Sequence, residues 1–360
     1  MTEPAAAARW QQRLEAAWWQ PASLPAWHWR ALSTLFGGLV RLRRALYQHG
    51  WLHSDRLDVP VIVVGNRIVG GAGKTPTTVA LVEALRLAGW HPGIVSRGHG
   101  RQGTAPCSVQ PSSLASEVGD EPLLMARRTG VPLWVGRDRA AAGRCLRQAH
   151  PEVDVIVCDD GLQHLRLARD IELVVFDDRG SGNGRLLPAG PLREPLEAPS
   201  LARHQQVIYN ARQASTPLRG RLAQRALAAP QPLADWQAGR PAQDDAWTTL
   251  TGRPLWALAG IGAPERFFTD LRARGLTLPP TQALAMPDHA VYDTLPWPDT
   301  AADLLVTEKD AVKLAPARLA RERPGTAVWV VPLRYTLPPE LVSELLAWLA
   351  RQPPPPTHPA

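Results

Sequence analysis

A glycine-rich stretch that ends in lysine and threonine is the part of this sequence whose residue types most directly indicate chemistry. Residues 59–78 read VPVIVVGNRIVGGAGKTPTT, and the end of the stretch matches the phosphate-binding pattern G-x-x-x-x-G-K-[ST]. Ile68 stands where that pattern has its first glycine, and Gly65 and Gly70 flank it. We predict a phosphate-binding loop, formed by Ile68, Val69, Gly70, Gly71, Ala72, Gly73, Lys74 and Thr75.

Each part of this loop has a physical role toward an anion. Glycines adopt backbone conformations that let N–H groups approach phosphate oxygens, and a helix beginning near Lys74 directs its positive end at the same place. The Lys74 ammonium reaches the outer phosphates, and the Thr75 hydroxyl is a ligand for Mg²⁺. Lysine is rare here, with three among 40 basic residues. The sequence assigns no contact to the other two, Lys309 and Lys313.

Paired aspartates end the apolar stretch VDVIVCDD at residues 153–160. A buried strand of this kind delivers carboxylates to the C-terminal edge of a parallel sheet, where open α/β sheets bind ligands. Because Mg²⁺ prefers carboxylate oxygens, we predict that Asp159 or Asp160 holds it. The alternative is an aspartate pair that only begins a loop. Asp177 and Asp178 end the following apolar stretch in the same way.

Two further motifs carry titratable side chains. GDEP at 119–122 places Asp120 where a loop enters a helix, and DHAVY at 288–292 contains His289. A carboxylate oriented by an imidazole is a suitable general base for a hydroxyl proton. Asp120 as a helix cap and His289 as a structural residue are the alternatives, and sequence spacing does not bring the two residues together.

The elements that carry these residues alternate between strands and helices. Short β-branched stretches are predicted as buried strands, and segments with helical periodicity follow them. Such alternation indicates an α/β fold with a P-loop NTPase-like parallel sheet. The predicted strands are 59–64, 93–98, 131–136, 153–160 and 171–178, and the predicted helices are 74–88, 119–130 and 137–150.

A second, smaller α/β domain is predicted after a change in composition. Residues 226–246 are rich in Ala, Pro, Gln and Asp without periodicity, which indicates a linker or loop. The predicted strands after it are 254–262, 303–310 and 327–333, and the predicted helices are 264–275 and 338–350. We therefore predict a P-loop core domain at 59–225, a linker or loop at 226–246, a C-terminal α/β domain at 247–350 and a disordered tail at 351–360.

Residues 1–58 are rich in tryptophan and arginine and precede the core. From Ala31 onward, leucine and phenylalanine recur at helical spacing, with Arg41 and Arg44 on the opposite face. This composition is typical of an amphipathic helix that docks on a membrane, and packing of the stripe on its own domain is the alternative. A formal charge of +7 favours an anionic partner.

Taken together and in order, the motifs resemble those of the tetraacyldisaccharide 4'-kinase family, the lipid A 4'-kinases of Gram-negative bacteria. They are VGNRIVGGAGKTP, SRGHGR, GDEP, CDDGLQH, GPLREP, MPDHAVY and TEKDAVK. The resemblance covers residues 25–345. Its P-loop signature also lacks the first glycine, which supports the loop prediction despite Ile68.

The resemblance implies a lipid kinase that uses ATP and Mg²⁺. Members of the family phosphorylate the 4'-hydroxyl of a tetraacylated glucosamine disaccharide 1-phosphate and produce lipid IVA, at the cytoplasmic face of the inner membrane. Motif by motif, the resemblance places the catalytic residues at Asp120, His289 and Lys74. It places the metal contacts at Thr75, Asp159, Asp160 and Glu194. His99 stands where the family often has tyrosine.

Two other function classes compete with this interpretation. A P-loop ATPase or GTPase switch uses hydrolysis to drive conformational change without phosphorylating a lipid. A GTPase would need an N-K-x-D motif, and the sequence has none. A nucleic-acid-binding protein would fit the positive charge, but aromatic and basic residues concentrate at the N-terminus beside an apolar stripe. We therefore expect no nucleic-acid partner.

Overall fold

The computed structural model describes residues 16–20, 25–101, 103–242 and 245–352. Two compact units divide the chain, and each combines separate stretches. The first unit draws on Met1–Arg97, Asp138–Gln224 and Leu337–Ala360, and the second on Gly98–Arg137 and Arg225–Thr336. Residues 353–360, most of the predicted tail, lie outside the described residues.

The first unit carries a parallel sheet with helices between its strands. Its helices are α1 (Trp27–Gln48), α2 (Lys74–Leu87), α5 (Arg139–Ala149) and α11 (Pro339–Leu349). Its strands are β1 (Val61–Gly65), β2 (Pro92–Ser96), β5 (Val155–Asp159), β6 (Ile171–Asp177), β7 (His204–Asn210) and β8 (Arg221–Leu222).

The strand order β2-β5-β1-β6-β7-β8 places β1 in the interior of this parallel sheet. Every residue of β1, β2, β5 and β6 is buried. Strands buried on both faces read as continuous apolar stretches, which is why the sequence predicts them well. The register pairs Val64 of β1 with Asp159 of β5, so both strands end at the same edge of the sheet.

The second unit is built around a five-stranded sheet of order β10-β14-β13-β11-β12, in which β10 alone is antiparallel to its neighbour. Shorter strands form the pairs β3–β4 and β9–β15. The strands are β3 (Cys107–Ser108), β4 (Leu133–Val135), β9 (Gln224–Leu227), β10 (Gln231–Pro232), β11 (Leu255–Ala259), β12 (Ala283–Ala285), β13 (Asp303–Thr307), β14 (Ala327–Val331) and β15 (Leu333–Thr336).

The core of this unit includes Phe267, Phe268 and Leu305, and several helices complete the unit. They are α3 (Ala115–Val118), α4 (Asp120–Thr129), α6 (Leu233–Gln237), α7 (Ala246–Leu250), α8 (Pro264–Ala273), α9 (Glu308–Ala311) and α10 (Pro316–Glu322). A 3₁₀ turn covers Pro280–Gln282.

This division differs from the predicted continuous domains 59–225 and 247–350. Helix α4, predicted within the core domain, belongs to the second unit, and α11, predicted within the C-terminal domain, belongs to the first. In α11, Glu344 binds Arg221 at 2.5 Å and Gln206 at 3.2 Å. Periodicity identifies a helix but not the sheet against which it packs, so these exchanges were not visible in the sequence.

The segment 226–246 is not the linker or loop that its composition indicated. Gln231 and Pro232 pair with β14 in the five-stranded sheet. Trp236 of α6 is buried and donates its indole N–H to Oε1 of Glu308 at 3.3 Å. One large aromatic side chain in a short helix is too brief a pattern for periodicity to reveal.

The structure confirms the predicted helix as α1. The face that packs on the protein is the one opposite the leucine stripe. Its buried residues are Ser33, Gly37 and Arg44, and Oγ of Ser33 donates to the carbonyl of Leu186 at 2.8 Å. A Cβ at Gly37 would lie 2.7 Å from the Leu186 side chain. The leucine stripe is exposed, through Leu32, Leu35, Leu39 and Leu42.

Over the described parts of the chain, we find no helix with the length and apolar character needed to cross a bilayer.

We expect Trp236→Ala to lower the free energy of unfolding by about 3–5 kcal/mol, because it leaves a cavity at a buried aromatic site. Trp51, which is 80% exposed, provides the control, and Trp51→Ala should change the value by less than about 0.5 kcal/mol. Urea unfolding followed by circular dichroism measures both. Equal, small effects would mean that this segment packs no better than a loop.

Candidate active site

The glycine loop of the first unit connects β1 to α2 through left-handed turns. Gly70 has φ 85° and Gly73 has φ 92°, a region that side chains with a Cβ rarely adopt. Space is limiting as well, because a Cβ at Gly73 would lie 2.2 Å from Nδ2 of Asn210. Gly73 is the N-cap of α2, so the first backbone N–H groups of that helix open onto the loop.

The predicted phosphate ligands lie together at the start of α2. Lys74 and Thr75 are its first two residues, and each is 9% exposed. Nζ of Lys74 lies 3.3 Å from the carbonyl oxygen of Gly70 and 3.7 Å from Oδ1 of Asp160. A lysine folded back over its own loop is placed to meet an anion bound there.

Neighbouring backbone holds this loop in its shape. The N–H of Val69 donates to the carbonyl of Pro191 at 2.9 Å, and the N–H of Arg193 donates to that of Arg67 at 2.8 Å. Arg179, paired with Asp177, donates to the carbonyl of Gly71 at 2.7 Å. Protein donors thus engage the loop carbonyls of Gly70 and Gly71, and the backbone N–H groups at the start of α2 are the natural anion donors.

The two aspartates that end the β5 stretch have different environments. Asp159 is buried and accepts hydrogen bonds from the hydroxyls of Thr78 and Ser96 at 3.0 and 3.4 Å. Asp160 has φ 47°, and its carboxylate is 30% exposed. Burial would raise the pKa of Asp160, but Lys74 and Arg193 lower it below its usual range. Asp160 is therefore the carboxylate available beside Lys74.

Glu194 is held as an ion-pair partner rather than presented as the predicted metal contact. Its Oε2 lies 2.6 Å from Nη1 of Arg44, and its Oε1 accepts from Gln163 at 3.2 Å and lies 3.8 Å from Nε of Arg67. A metal ion at Glu194 would have to displace these partners. Arg44, predicted on the face of α1 opposite the leucine stripe, lies on that face and is buried there.

The structure brings Asp120 and His289 together within the second unit. Nδ1 of His289 lies 3.0 and 3.1 Å from the two carboxylate oxygens of Asp120. Asp120 is the first residue of α4, and its Oδ1 also accepts from the N–H of Glu121 at 2.9 Å. The N-cap of α4 is Gly119 rather than Asp120, so the helix-cap alternative is wrong, and the general-base interpretation stays compatible with the position of Asp120.

His289 is held in a conformation that few non-glycine residues adopt. Its φ is 59°, and its N–H donates to Oδ1 of Asp288 at 3.1 Å. Its ring lies 5.0 Å from that of His99, centroid to centroid. Left-handed backbone of this kind is often found at functional sites, and it turns the imidazole toward Asp120.

The Asp120–His289 contact changes the acidity of both groups. Burial would raise the pKa of Asp120, but the hydrogen bond from His289 and the charge of Lys309 lower it below its usual range. The same hydrogen bond raises the pKa of His289 above its ordinary value, against burial and Lys309. The stabilisation from Asp120 is present above the ordinary aspartate pKa and is lost as pH falls through the lowered one.

The motif TEKDAVK, to which the sequence assigned no role, supports this pair. Asp310 is fully buried and accepts from the Tyr292 hydroxyl at 2.5 Å, the Thr307 hydroxyl at 2.6 Å and the Gly260 N–H at 3.0 Å. Lys313 donates to the carbonyl of Ala290 at 3.0 Å. The rarity of lysine was the one sequence signal that could have drawn attention to this motif.

Among the residues that the structure describes, no group of three or more His, Cys, Asp or Glu side chains is placed to hold a metal ion. Thr75, Asp159 and Asp160 lie at the same edge of the sheet, whereas Glu194 belongs to the ion pair with Arg44. Any metal at the loop would therefore depend on oxygens from a bound ligand as well as on the protein.

Comparison with known proteins places this geometry in a family. The family model described as Tetraacyldisaccharide-1-P 4'-kinase matches residues 25–350. A tetraacyldisaccharide 4'-kinase of Leptothrix cholodnii is 57% identical over 342 residues, which are 95% of this chain and 97% of the relative. Another, of Methylibium petroleiphilum, is 53% identical over 325 residues, which are 90% of each chain.

A solved structure matches the fold as well. The crystal structure of the "apo" form of LpxK from Aquifex aeolicus, in complex with ATP, superposes with a TM-score of 0.71 at 27% sequence identity. The match covers 89% of this chain and 97% of the other.

We expect Arg44→Met to lower the free energy of unfolding by about 3–5 kcal/mol, because it leaves the buried charge of Glu194 without its closest partner. The double variant Arg44→Met/Glu194→Gln removes that charge and should be clearly more stable than the single variant. Urea unfolding of both proteins measures the difference. An equal loss in the two would show that packing, rather than the uncompensated carboxylate, sets the cost.

Proposed function

This chain belongs to the tetraacyldisaccharide-1-P 4'-kinase family, and from that premise we propose that it transfers the γ-phosphate of ATP to the 4'-hydroxyl of a tetraacyldisaccharide 1-phosphate. The product is lipid IVA, the bis-phosphorylated precursor in lipid A biosynthesis. Family membership favours this reaction over a P-loop ATPase switch that phosphorylates no lipid.

The observation that carries the proposal is the hydrogen-bonded pair of the buried Asp120 and the partly buried His289. A phosphate loop alone serves kinases, ATPases and switches equally. A kinase acting on an alcohol also needs a group that accepts the hydroxyl proton. Asp120 stays ionised at neutral pH, and His289 holds its orientation by donating from Nδ1.

The reaction balances with the groups present. The 4'-hydroxyl oxygen attacks the γ-phosphorus, a new O–P bond forms, and the bond from that phosphorus to the bridging oxygen of ADP breaks. The hydroxyl proton passes to a carboxylate oxygen of Asp120. Lys74 and the N–H groups of the glycine loop stabilise the negative charge on the transferred phosphoryl group.

The residues present fit a magnesium ion in their donor chemistry. The hydroxyl of Thr75 at the start of α2 and the carboxylate of Asp160, 3.7 Å from Nζ of Lys74, are hard oxygen donors, and Asp159 precedes Asp160 in the sequence. Mg²⁺ usually takes one or two carboxylates together with substrate phosphates, and its chemistry is to neutralise phosphate charge. Glu194 has no part in this proposal.

The exposed face of α1 supports a membrane-associated location. The stripe is about half exposed at Leu32, Leu35, Leu39 and Leu42. Burial of these side chains in a membrane interface would remove apolar surface from water, which is favourable. Arginines near anionic lipids add about 1 kcal/mol each. We place the protein peripherally at the cytoplasmic face of the inner membrane, where an acylated acceptor would be within reach.

The decisive experiment follows the phosphate itself. Purified protein is incubated with Mg²⁺, γ-labelled ATP and a tetraacyldisaccharide 1-phosphate in mixed micelles, and the position of the label is determined by mass spectrometry. The proposal requires label on the 4'-oxygen and one ADP for each phosphorylated lipid. ADP release without labelled lipid would favour the ATPase switch.

We expect Asp120→Asn to lower kcat by about 10²–10⁴-fold while ATP affinity stays near that of the wild type, since a neutral amide accepts no proton. Gly73→Ala should instead act on binding and weaken ATP affinity by at least tenfold, about 1.4 kcal/mol, because the added Cβ would collide with Asn210. Gly252 shares a left-handed φ but has open space around it, so Gly252→Ala is the matched control. Calorimetry and initial rates separate the two effects, and loss of ATP binding in Asp120→Asn would count against the base.

The triple variant Leu35→Gln/Leu39→Gln/Leu42→Gln should bind liposomes of anionic lipid much more weakly than the wild type, because it removes the exposed apolar stripe. Deleting the N-terminus is the poorer test, since it also removes Arg44 and leaves Glu194 buried without its partner. Flotation measures the bound fraction, and circular dichroism checks the fold. The same substitution at exposed Leu87, Leu87→Gln, should leave flotation unchanged. Equal flotation of triple variant and wild type would reject α1 as the anchor.

A further inference from the structure

Lys309 lies at the centre of the charged groups around His289. It is the second residue of the short helix α9, and its side chain is 12% exposed. Nζ lies 2.8 Å from Oε1 of Glu121, 2.8 Å from Oδ1 of Asp288 and 3.3 Å from Nε2 of His289. An ammonium has three N–H donors, and here three partners surround it.

The chemistry of the ammonium determines the direction of the third contact. Burial would lower the pKa of Lys309, but Glu121, Asp120 and Asp288 raise it above its ordinary value. A protonated lysine donates and has no lone pair with which to accept. When the imidazole is neutral, Nε2 of His289 is therefore the acceptor, which puts the single ring proton on Nδ1.

That proton is the one that faces Asp120. Nδ1 lies 3.0 and 3.1 Å from the two carboxylate oxygens, so the tautomer selected by Lys309 is the one that donates to Asp120. The opposite tautomer would set a bare nitrogen against a carboxylate and an N–H against an ammonium, and both contacts would be repulsive. Similar partners on the far nitrogen of histidine ligands set the tautomer in metal sites.

We propose that Lys309 is a positioning residue of the phosphoryl transfer, which donates to Nε2 of His289 and thereby fixes the tautomer that orients Asp120. The proposal rests on the proposed function, in which Asp120 takes the hydroxyl proton. A lysine suits this place because its three donors diverge, whereas the guanidinium of arginine is planar. This explains a lysine in a chain whose other basic residues are almost all arginine.

The test reads the tautomer directly, by ¹⁵N NMR of histidine-labelled protein, with the His289 signals assigned from His289→Gln. The charged or titratable groups facing the ring are those of Asp120, Glu121, Asp288, His99 and Lys309. Above the pKa of the ring, the wild type should show a protonated Nδ1 and a bare Nε2. In Lys309→Met the second tautomer should gain population, and the pKa of His289 should rise because a neighbouring positive charge is gone.

A matched pair of variants separates this role from general stabilisation. Lys309→Arg keeps the charge between Glu121 and Asp288 but loses the divergent donors, so it should also relax the tautomer. Lys313→Arg makes the same exchange at a lysine that contacts the Ala290 carbonyl, Asp310 and the Tyr292 ring, and it should keep the wild-type tautomer. Thermal melts establish that each variant is folded.

Kinetic measurements test whether Lys309 affects catalysis. Lys309→Met should lower kcat about 10- to 100-fold, a part of what acid–base catalysis contributes, with KM for ATP unchanged. Wild-type tautomer and titration of His289 in both Lys309 variants would overturn the proposal, even if activity fell. Failure of the proposed function has a different signature, because the wild type would then transfer no label to lipid while the tautomer result stood. Normal transfer by Asp120→Asn would count only against Asp120 as the base.

Discussion

Burial of charge is the constraint on which this structure depends. Four carboxylates are each less than 10% exposed: Asp120, Asp159, Glu194 and Asp310. An ionised carboxylate buried without partners would cost more free energy than the net stability of a folded protein. Each therefore has donors built around it. The identity of those donors decides what each acid can do, because a carboxylate enclosed by arginine is an ion-pair partner, whereas one oriented by a histidine can exchange a proton.

The same constraint explains the two lysines of TEKDAVK. Asp310 organises Tyr292, Thr307 and the Gly260 backbone into a rigid base, and Lys313 ties the loop after His289 to it. The left-handed backbone of His289 is maintained by such contacts rather than by its own preference. A motif without an assigned role in the sequence thus holds in place the ring that meets Asp120.

Much of the fold could be predicted from local pattern, and the rest depends on long-range pairing. β1, β5 and β6 are continuous apolar stretches and were predicted within a few residues. β7 was missed, because HQQVIYN begins with polar residues and is buried only in its second half. The contact between Asp120 and His289 joins positions 169 residues apart, and no spacing rule reaches that far. Helical periodicity identified the stripe on α1 but not the direction in which it faces.

In the site as well, residues adjacent in sequence were predictable together, whereas contacts between distant residues were not. Gly73, Lys74 and Thr75 follow one another in the chain, so their common position was predictable. Ile68, in place of a glycine, is fully buried and pairs with Leu192. The sharp turns come later, at Gly70 and Gly73. Glu194 was assigned to metal by motif alone, and its real neighbour, Arg44, lies 150 residues away in a helix whose buried face was not apparent.

The ion pair between Arg44 and Glu194 also determines how α1, the proposed membrane helix, is attached to the protein. A helix on a flexible tether would let a catalytic body drift at varying height above the lipid. Here α1 and the glycine loop belong to one compact unit, and the buried pair of Arg44 and Glu194, which would be costly to separate, ties the helix to that unit. If α1 binds the membrane as proposed, the glycine loop would be held at a fixed height above the bilayer, and the reach of the lipid headgroup would limit which lipids can be phosphorylated.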